Sequence, residues 1–404
     1  MTAPGTGPAG PAPALRWPDQ PALGGWYTQD ETDAVAQALA ESTDWRTGFR
    51  AKAREIAFED AFALHAAAPF AVAPFAVAYN GAGTAMDQVL ACLDLQSGDE
   101  VISGALNFPG PHLSVLRTGA RLLLAEPSPG SFNLDPAHVE ALMTGRTRAV
   151  LVTHMNGQVA DMQALLDLTE RHPHPEHGPA KIVVDAARAI GAETELGPVG
   201  RAGWASVFSF QSKKGMTTLG EGGMVTTFDE NLAVRLRRLR SFGKGRLLGS
   251  NYKMSKLQAA VGLVQLRRLP EMNDRRVQLA EKRTEHLRCL DVPGLVLPPS
   301  AGRAHTHYLY NLLLPEQWGT AGRDEVRRLL AQRHGVGALA GERPTHLGHQ
   351  LIAAATAGQH LPLAERTADR ALHPCLHPLM SDAENKEIAE AIGDAVRTVA
   401  AHHA

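Results

Sequence analysis

The chain has 404 residues, of which 44% are apolar and 20% are charged, and its formal net charge is −2. This composition is ordinary for a globular protein, and the length is too great for one small core, so we expect two domains. The lack of a basic excess argues against a nucleic-acid partner, and no apolar stretch approaches the roughly 20 residues of a membrane-spanning helix.

The N-terminal residues and the cysteines bear on the setting of the protein. Residues 1–25 are expected to form a disordered tail, because the first fifteen are rich in Pro, Ala and Gly and lack the features of a signal peptide. Cys92, Cys289 and Cys375 form no CxxC pair, which argues against a thiolate-bound metal and against a disulfide framework. We therefore expect a cytoplasmic protein without a metal.

Short apolar runs alternate with helical patterns through the middle of the chain. We predict helices at 136–143 and 161–171 between successive strands. The predicted strands are 121–125, 149–153, 181–184, 205–210 and 223–227. Such alternation is typical of βαβ units, so the fold class is α/β with a mostly parallel sheet flanked by helices.

A long helical region follows, and then a second, smaller unit. Helices are predicted at 230–240, 255–269 and 278–290, and a proline-rich turn after residue 290 indicates a domain boundary. Beyond it a strand at 308–314 and helices at 323–333 and 383–400 suggest an α+β domain. We assign 26–290 to a large domain and 291–404 to a small one.

Two segments are candidates for ligand binding, one for a phosphate and one for a cationic ring nitrogen. Residues 81–85, Gly-Ala-Gly-Thr-Ala, open a helix, and small residues there let backbone N–H groups approach a phosphate, although such a start is often only a turn. Asp185 ends a buried strand, where ligands of open α/β sheets bind, and could pair with a cationic ring nitrogen. It could equally cap the next helix.

Three more segments remain ambiguous when taken one at a time. Lys213 and Lys214 follow a buried strand, so one amine could react with a carbonyl group, or the pair could be a solvated surface patch. Asn251 precedes a helix and reads as part of a capped turn. His305 and His307 lie on one face of an extended segment, but no third ligand is apparent, so we do not expect a metal.

The order of the motifs along the chain, from about Trp26 to His377, resembles the DegT/StrS aminotransferases. The motifs are GDEVI at 98–102, HMNGQVADM at 154–162, VDAA at 184–187, FSFQSKK at 208–214, GEGG at 220–223, NYKM at 251–254 and HPCLHP at 373–378. The resemblance implies the fold of the fold-type I pyridoxal-phosphate enzymes, with pyridoxal 5'-phosphate as the cofactor and a homodimer with shared active sites.

The resemblance also implies a role for each matching residue. Lys214 would bond the cofactor covalently, Asp185 would keep its ring nitrogen protonated, and Phe108 would stack on its ring. The phosphate would be held by Ser209, by Asn251 of the neighbouring subunit, and by Gly83, Thr84 and Ala85.

The chain departs from the family pattern on the substrate side. Arg188 stands where Gln or His is usual, and we expect it to contact the substrate or a cofactor oxygen. Asn156 replaces an aromatic residue, and the loop 106–110 is unusual. These changes indicate a substrate other than a typical nucleotide-linked sugar.

The expected activity is transfer of an amino group from glutamate or glutamine to the ketone of a sugar, cyclitol or related natural-product intermediate. A dehydratase or lyase using the same cofactor is an alternative, but enzymes of that kind commonly have His in place of the lysine or an iron–sulfur cluster. A non-catalytic regulator would have lost Lys214 or Asp185, and both are present.

Overall fold

The computed structural model describes residues 15–20, 23, 25–47, 52–67 and 74–403. Its centre is a sheet of strands β1 (Phe75–Tyr79), β2 (Glu100–Gly104), β3 (Arg121–Ala125), β4 (Thr147–Thr153), β5 (Lys181–Asp185), β8 (Ala205–Ser209) and β9 (Gly223–Thr227). Across the sheet the strand order is β1-β9-β8-β5-β4-β2-β3. All neighbours are parallel except that β9 runs antiparallel to both β1 and β8. The predicted mostly parallel sheet is confirmed.

Both faces of this sheet are buried, which explains the two-sided apolar strands. On β4, Leu151 packs into the core of one face, whereas Val150 and Val152 pack into the core of the other. This follows from the alternation of side chains along a strand. The first face is covered by α3 (Ala82–Ala91), α4 (Pro109–Arg117) and α7 (Glu230–Leu239), and the second by α2 (Ala53–Ala67), α6 (Met162–Arg171) and α8 (Lys256–Leu287).

The smaller sheet belongs to the C-terminal part of the chain. It is antiparallel, in the order β10-β12-β11, with strands β10 (Leu312–Leu313), β11 (Ala338–Ala340) and β12 (Ala371–Pro374). The structure also contains a β6–β7 hairpin (Glu193–Thr194 and Gly197–Pro198). Its other α-helices are α1 (Gln29–Glu41), α5 (Pro136–Leu142), α9 (Gly319–His334), α10 (Thr345–Gly348), α11 (Gln350–Ala355), α12 (Pro362–Arg370) and α13 (Asp382–His403). Within the described residues, no helix combines the length and the apolarity needed to cross a membrane.

Three predicted elements differ from the structure. The helices expected at 255–269 and 278–290 are one helix of 32 residues, α8, in which Pro270 is internal. The helix continues because Asn273 is buried and its amide donates to the carbonyl of Ile190 at 3.0 Å. The strand expected at 308–314 is only Leu312–Leu313, and His307 just before that segment has a left-handed φ of 49°.

Helix α8 contributes to two hydrophobic cores, one beneath each sheet. Leu269 and Met272 belong to the core of the large sheet, and Leu279 and Leu287 belong to the core of the small one. The predicted tail at 1–25 falls largely outside the described residues. Within them, Trp17 is buried in the smaller core, where its carbonyl accepts a hydrogen bond from Gly337. The domain boundary near residue 290 stays a proposal.

Candidate active site

A cavity of about 550 Å³ opens where the central strands end. Thr153, Asp185 and Ser209 are the last residues of β4, β5 and β8, and all three line it. Thr153 and Asp185 are register partners on adjacent parallel strands. The carboxyl edge of an open parallel sheet is where ligands of α/β proteins bind. The sheet topology therefore brings together residues that lie far apart in the sequence.

Asp185 is a buried carboxylate in the floor of this cavity. It is 6% exposed, and its Oδ1 accepts the N–H of Ala187 at 2.9 Å. Burial raises the pKa of Asp185, while the N–H of Ala187 and the charges of Lys214 and Arg188 act in the opposite direction. A carboxylate that has lost its hydration in this way is stabilised by a cation held against it. The site is thus suited to a protonated ring nitrogen.

Lys214 lies in the loop after β8 and faces the same cavity. Its Nζ is 5.1 Å from the centroid of the Tyr308 ring, and its charge acts on Asp185. Lys213 also lines the cavity, but its Nζ donates to Gln20 at 2.8 Å. The geometry therefore brings Lys214, rather than its neighbour, into the electrostatic environment of Asp185.

The start of helix α3 forms a cradle for an anion. Gly81 is the N-cap, and Ala82 and Gly83 line the cavity at the end of the helix whose first N–H groups lack partners within the helix. Ser209 lies nearby with 6% exposure, and it also lines the cavity. Gly223 makes the cradle possible, since a Cβ there would lie 2.7 Å from the backbone nitrogen of Ala82.

Two residues predicted for the phosphate lie differently. The Thr84 hydroxyl donates within the first turn, to Gly81 O and Asn80 Oδ1, both at 2.8 Å. The Ala85 side chain is fully buried in the core, and its N–H bonds Gly81 O at 3.2 Å. The part of the motif that reaches the cavity is therefore Ala82 and Gly83. Ala82 belongs to the candidate segment 81–85, but the motif did not assign it to the phosphate.

Phe108 lines the cavity and is 57% exposed, so a face of its ring is open to a ligand. It is the N-cap of α4, and Pro109 begins that helix. Asn107 beside it is buried and donates to the Thr153 hydroxyl at 2.8 Å. Its Oδ1 is buried and has no hydrogen-bond partner among the described residues.

Arg188 is 7% exposed and also lines the cavity. Its Nη1 donates to Asn156 at 2.8 Å, and its Nη2 donates to Glu342 at 2.6 Å. Its guanidinium carbon is 5.6 Å from the centroid of the Tyr308 ring. Sequence reasoning missed Glu342 and Tyr308, which belong to no motif and come from the C-terminal part of the chain.

Asn251 and the two histidines lie away from this cavity. Asn251 is exposed, and its Oδ1 accepts from Lys253 at 2.5 Å. His305 and His307 are buried, with their rings stacked 3.9 Å apart. Among the described residues, no group of three or more His, Cys, Asp or Glu is arranged to hold a metal ion.

The sequence profile of the DegT/DnrJ/EryC1/StrS aminotransferase family matches residues 27–393. The chain belongs to this family. It is therefore an enzyme of the aminotransferase class, and the resemblance drawn from the motifs is confirmed.

The sequence of this chain aligns with named relatives and solved structures of aminotransferases. The dTDP-3-amino-3,4,6-trideoxy-alpha-D-glucose transaminase of Streptomyces venezuelae is 32% identical over 90% of this chain and 91% of its own. The L-glutamine:scyllo-inosose aminotransferase of Streptomyces griseus is 37% identical over 55% of this chain and 54% of its own. The crystal structure of the aminotransferase TlmJ from Streptoalloteichus hindustanus matches with a TM-score of 0.81 and 27% identity, covering 94% of this chain and 99% of that one. The fold predicted from the motifs is confirmed.

Proposed function

We propose that this protein is a pyridoxal-phosphate-dependent aminotransferase that transfers an amino group from glutamate or glutamine to the ketone of a sugar, cyclitol or related natural-product intermediate. The observation that carries the proposal is that Lys214 and Asp185 face one cavity whose wall contains the anion cradle at the start of α3. The named relatives support the acceptor class, since one acts in deoxysugar chemistry and another aminates a cyclitol ketone.

The residues present fit this cofactor. The amides of Ala82 and Gly83 with the hydroxyl of Ser209 would hold its phosphate by charge-assisted bonds. The Asp185 carboxylate would keep a proton on its ring nitrogen, and Phe108 would fix the ring plane. Pyridoxal phosphate, when bound, supplies an aldehyde that takes up the amino group and a ring that accepts an electron pair.

The chain supplies the proton transfers. The Nζ of Lys214, once free, would remove the proton from the α-carbon of the amino donor and later deliver a proton to the former ketone carbon. Its place near the Tyr308 ring and Asp185 keeps it inside the cavity, on the side where the donor must lie.

We also propose a homodimer in the cytoplasm. Asn251 lies outside the cavity of its own chain, as expected if it serves the neighbouring subunit. The segment before it exposes Phe242 and Leu248 to 63% and 101%, and large apolar side chains exposed together are typical of an interface. Cys92, Cys289 and Cys375 are all free, which supports a reducing compartment.

Lys214→Ala tests the assignment of the lysine. We expect amino transfer from glutamate or glutamine to fall by about a thousandfold, because the variant lacks both the attachment point and the proton carrier. Borohydride reduction followed by peptide mass spectrometry should find the cofactor on the peptide with Lys214 in the parent and in Lys213→Ala. Attachment at Lys213, or full turnover by Lys214→Ala, would contradict the proposal.

A further inference from the structure

The proposed cofactor contacts and proton transfers do not involve the charge of Arg188, which lines the cavity. The Arg188 guanidinium and the Lys214 amine lie over the same Tyr308 ring, 5.6 Å and 5.1 Å from its centroid. A molecule that reacts beside Lys214 therefore has this guanidinium within reach. Of the cavity-lining residues that the structure describes, Arg188 is the sole arginine.

One of its two polar partners is held rigidly. Asn156 is 2% exposed and has a left-handed backbone with φ 55° and ψ 18°. Its Nδ2 donates to Asn311 at 3.0 Å, and its carbonyl accepts from Leu309. With the side chain and backbone both occupied, the Oδ1 of Asn156 is a fixed acceptor. It orients one arm of the Arg188 guanidinium without neutralising its charge.

The other partner is of a different kind. Glu342 lies between β11 and α10, and 47% of its side chain is exposed. Burial alone would raise the pKa of Glu342, but the Arg188 charge lowers it, so the carboxylate is ionised at neutral pH. On leaving Arg188, this half-exposed carboxylate can regain its hydration, whereas the buried guanidinium must keep an anionic partner. The pair can therefore be exchanged for another.

We infer that Arg188 binds the carboxylate of the amino-acid donor and that Glu342 is an internal substitute which this carboxylate displaces. The inference rests on the proposed function, because it names how the first substrate of that reaction is held. A guanidinium presents a planar fork that matches a carboxylate at two points, and the fixed Asn156 leaves the Nη2 side for the incoming oxygen atoms.

The exchange answers a requirement of the reaction itself. One cavity must accept the carboxylate of an amino-acid donor and then a sugar or cyclitol ketone, which has no carboxylate at that place. If Arg188 had no internal partner, its buried charge would be uncompensated whenever the ketone is bound, and that is costly. With Glu342 returning to it, the cavity is neutralised for the second substrate. The rival explanation is that the Arg188–Glu342 ion pair is permanent and only holds these two segments together.

The test is glutarate binding to the holoenzyme by calorimetry, because glutarate has the donor's carboxylates and no amine. In the parent, the Glu342 carboxylate occupies Arg188 most of the time, so glutarate binds only to the small fraction of molecules in which Arg188 is free. Glu342→Gln should therefore bind glutarate about tenfold more tightly than the parent. Arg188→Gln should bind it at least about tenfold more weakly. In Glu342→Gln, the KM for the amino donor should fall more than kcat changes.

Glu193→Gln is the matched control. It removes the carboxylate of an ion pair with Arg303, 2.8 Å long and away from the cavity, and should leave glutarate binding unchanged. Equal or weaker binding by a folded Glu342→Gln overturns the inference and favours a permanent ion pair. If the expected binding pattern holds but no amino acid donates to the parent enzyme, the carboxylate site stands and the proposed function fails. If amino transfer occurs and neither variant alters glutarate binding, the inference alone fails.

Discussion

At the scale of single residues, the site combines a charge that costs stability with a function that needs it. Asp185 has lost most of its hydration, and the N–H of Ala187 and the nearby cations compensate only in part, since its pKa is raised. Between the ordinary pKa of Asp and this raised value, the folded chain holds a proton that the unfolded chain has released. Stability of the cofactor-free protein therefore falls as pH rises through this window, and the deficit persists above it.

Asp185→Asn should separate the cost of the Asp185 charge to stability from its role in catalysis. In the cofactor-free protein at neutral pH, we expect the variant to melt a few degrees higher than the parent, because Asn keeps the acceptor for Ala187 and carries no charge. The difference should shrink as pH is lowered toward the ordinary range of Asp. The catalytic rate should fall about a hundredfold or more, since the ring nitrogen loses its counter-charge. Thermal melts across pH together with rate measurements check both; a variant that is less stable at every pH contradicts the burial argument.

How far single residues could be predicted depends on whether they belong to a local motif. Asp185 and Ser209 end strands, Lys214 lies in the loop after one, and the motif spacing indicated all three as candidates. Glu342 is 154 residues from its partner Arg188 and follows a short strand with no distinctive pattern. Nothing in the sequence around it predicts the contact, because only the packing of the smaller sheet brings it to the cavity.

At the scale of elements, the site depends on how closely β9 approaches the start of α3. A Cβ on Gly223 would lie 2.7 Å from the backbone of Ala82 and of Gly81. Backbone atoms cannot move aside as the end of a flexible side chain can, so strand and helix must separate if the glycine is replaced. The GEGG motif is thus a packing requirement at the cradle as well as a loop.

Gly223→Ala should therefore impair both folding and cofactor binding. We expect a loss of about 1–3 kcal/mol in the free energy of unfolding, as for other overpacked sites, and weaker retention of the cofactor on dialysis. Gly145→Ala is the control, since a Cβ there meets nothing closer than 3.9 Å. Chemical denaturation and the residual cofactor absorbance measure the two effects. Parent-like values for Gly223→Ala would show that the strand and helix can separate without consequence.

Element boundaries were predictable where the local signals agree. The strand at 121–125 and the helix start at Pro136 lie where the pattern indicated, and the helix predicted from residue 161 begins at Met162. The Asp before each helix is its N-cap. The sequence predicted two helices, 255–269 and 278–290, where the structure has the single helix α8. Burial of Met272 in the core of the large sheet, and of Asn273 beside it, maintains the helix between them.

At the scale of the whole molecule, the segment at residues 15–20 packs on the smaller core through Trp17. The Trp17 ring is 7% exposed, and its backbone forms a parallel bridge with Val336. Gly337 permits this contact, because a Cβ there would lie 2.2 Å from the backbone nitrogen of Asp19. The same segment reaches the cavity, where Gln20 accepts from Lys213. Residues 17–20 thereby connect the smaller core with the active site.

Trp17→Ala should reduce the free energy of unfolding by about 3–5 kcal/mol, the usual cost of removing a large buried aromatic side chain. Leu15→Ala, at a position that is 39% exposed, should change it little. Urea denaturation followed by circular dichroism measures both. Equal stability of the two variants would mean that the segment does not stay on the core in solution.

The sequence by itself determined the fold class and the family, because strand periodicity and motif spacing are local properties of the chain. It also indicated Lys214, Asp185 and Ser209, which the fold then brings to one cavity. It also identified Arg188 as a departure on the substrate side, but not its partners. The pairing of Arg188 with Glu342, the place of Ala82 in the cradle and the burial of Trp17 were decided by tertiary structure alone. Each depends on contacts between segments far apart in the chain, and the energy of such contacts is set by packing and burial rather than by neighbouring residues.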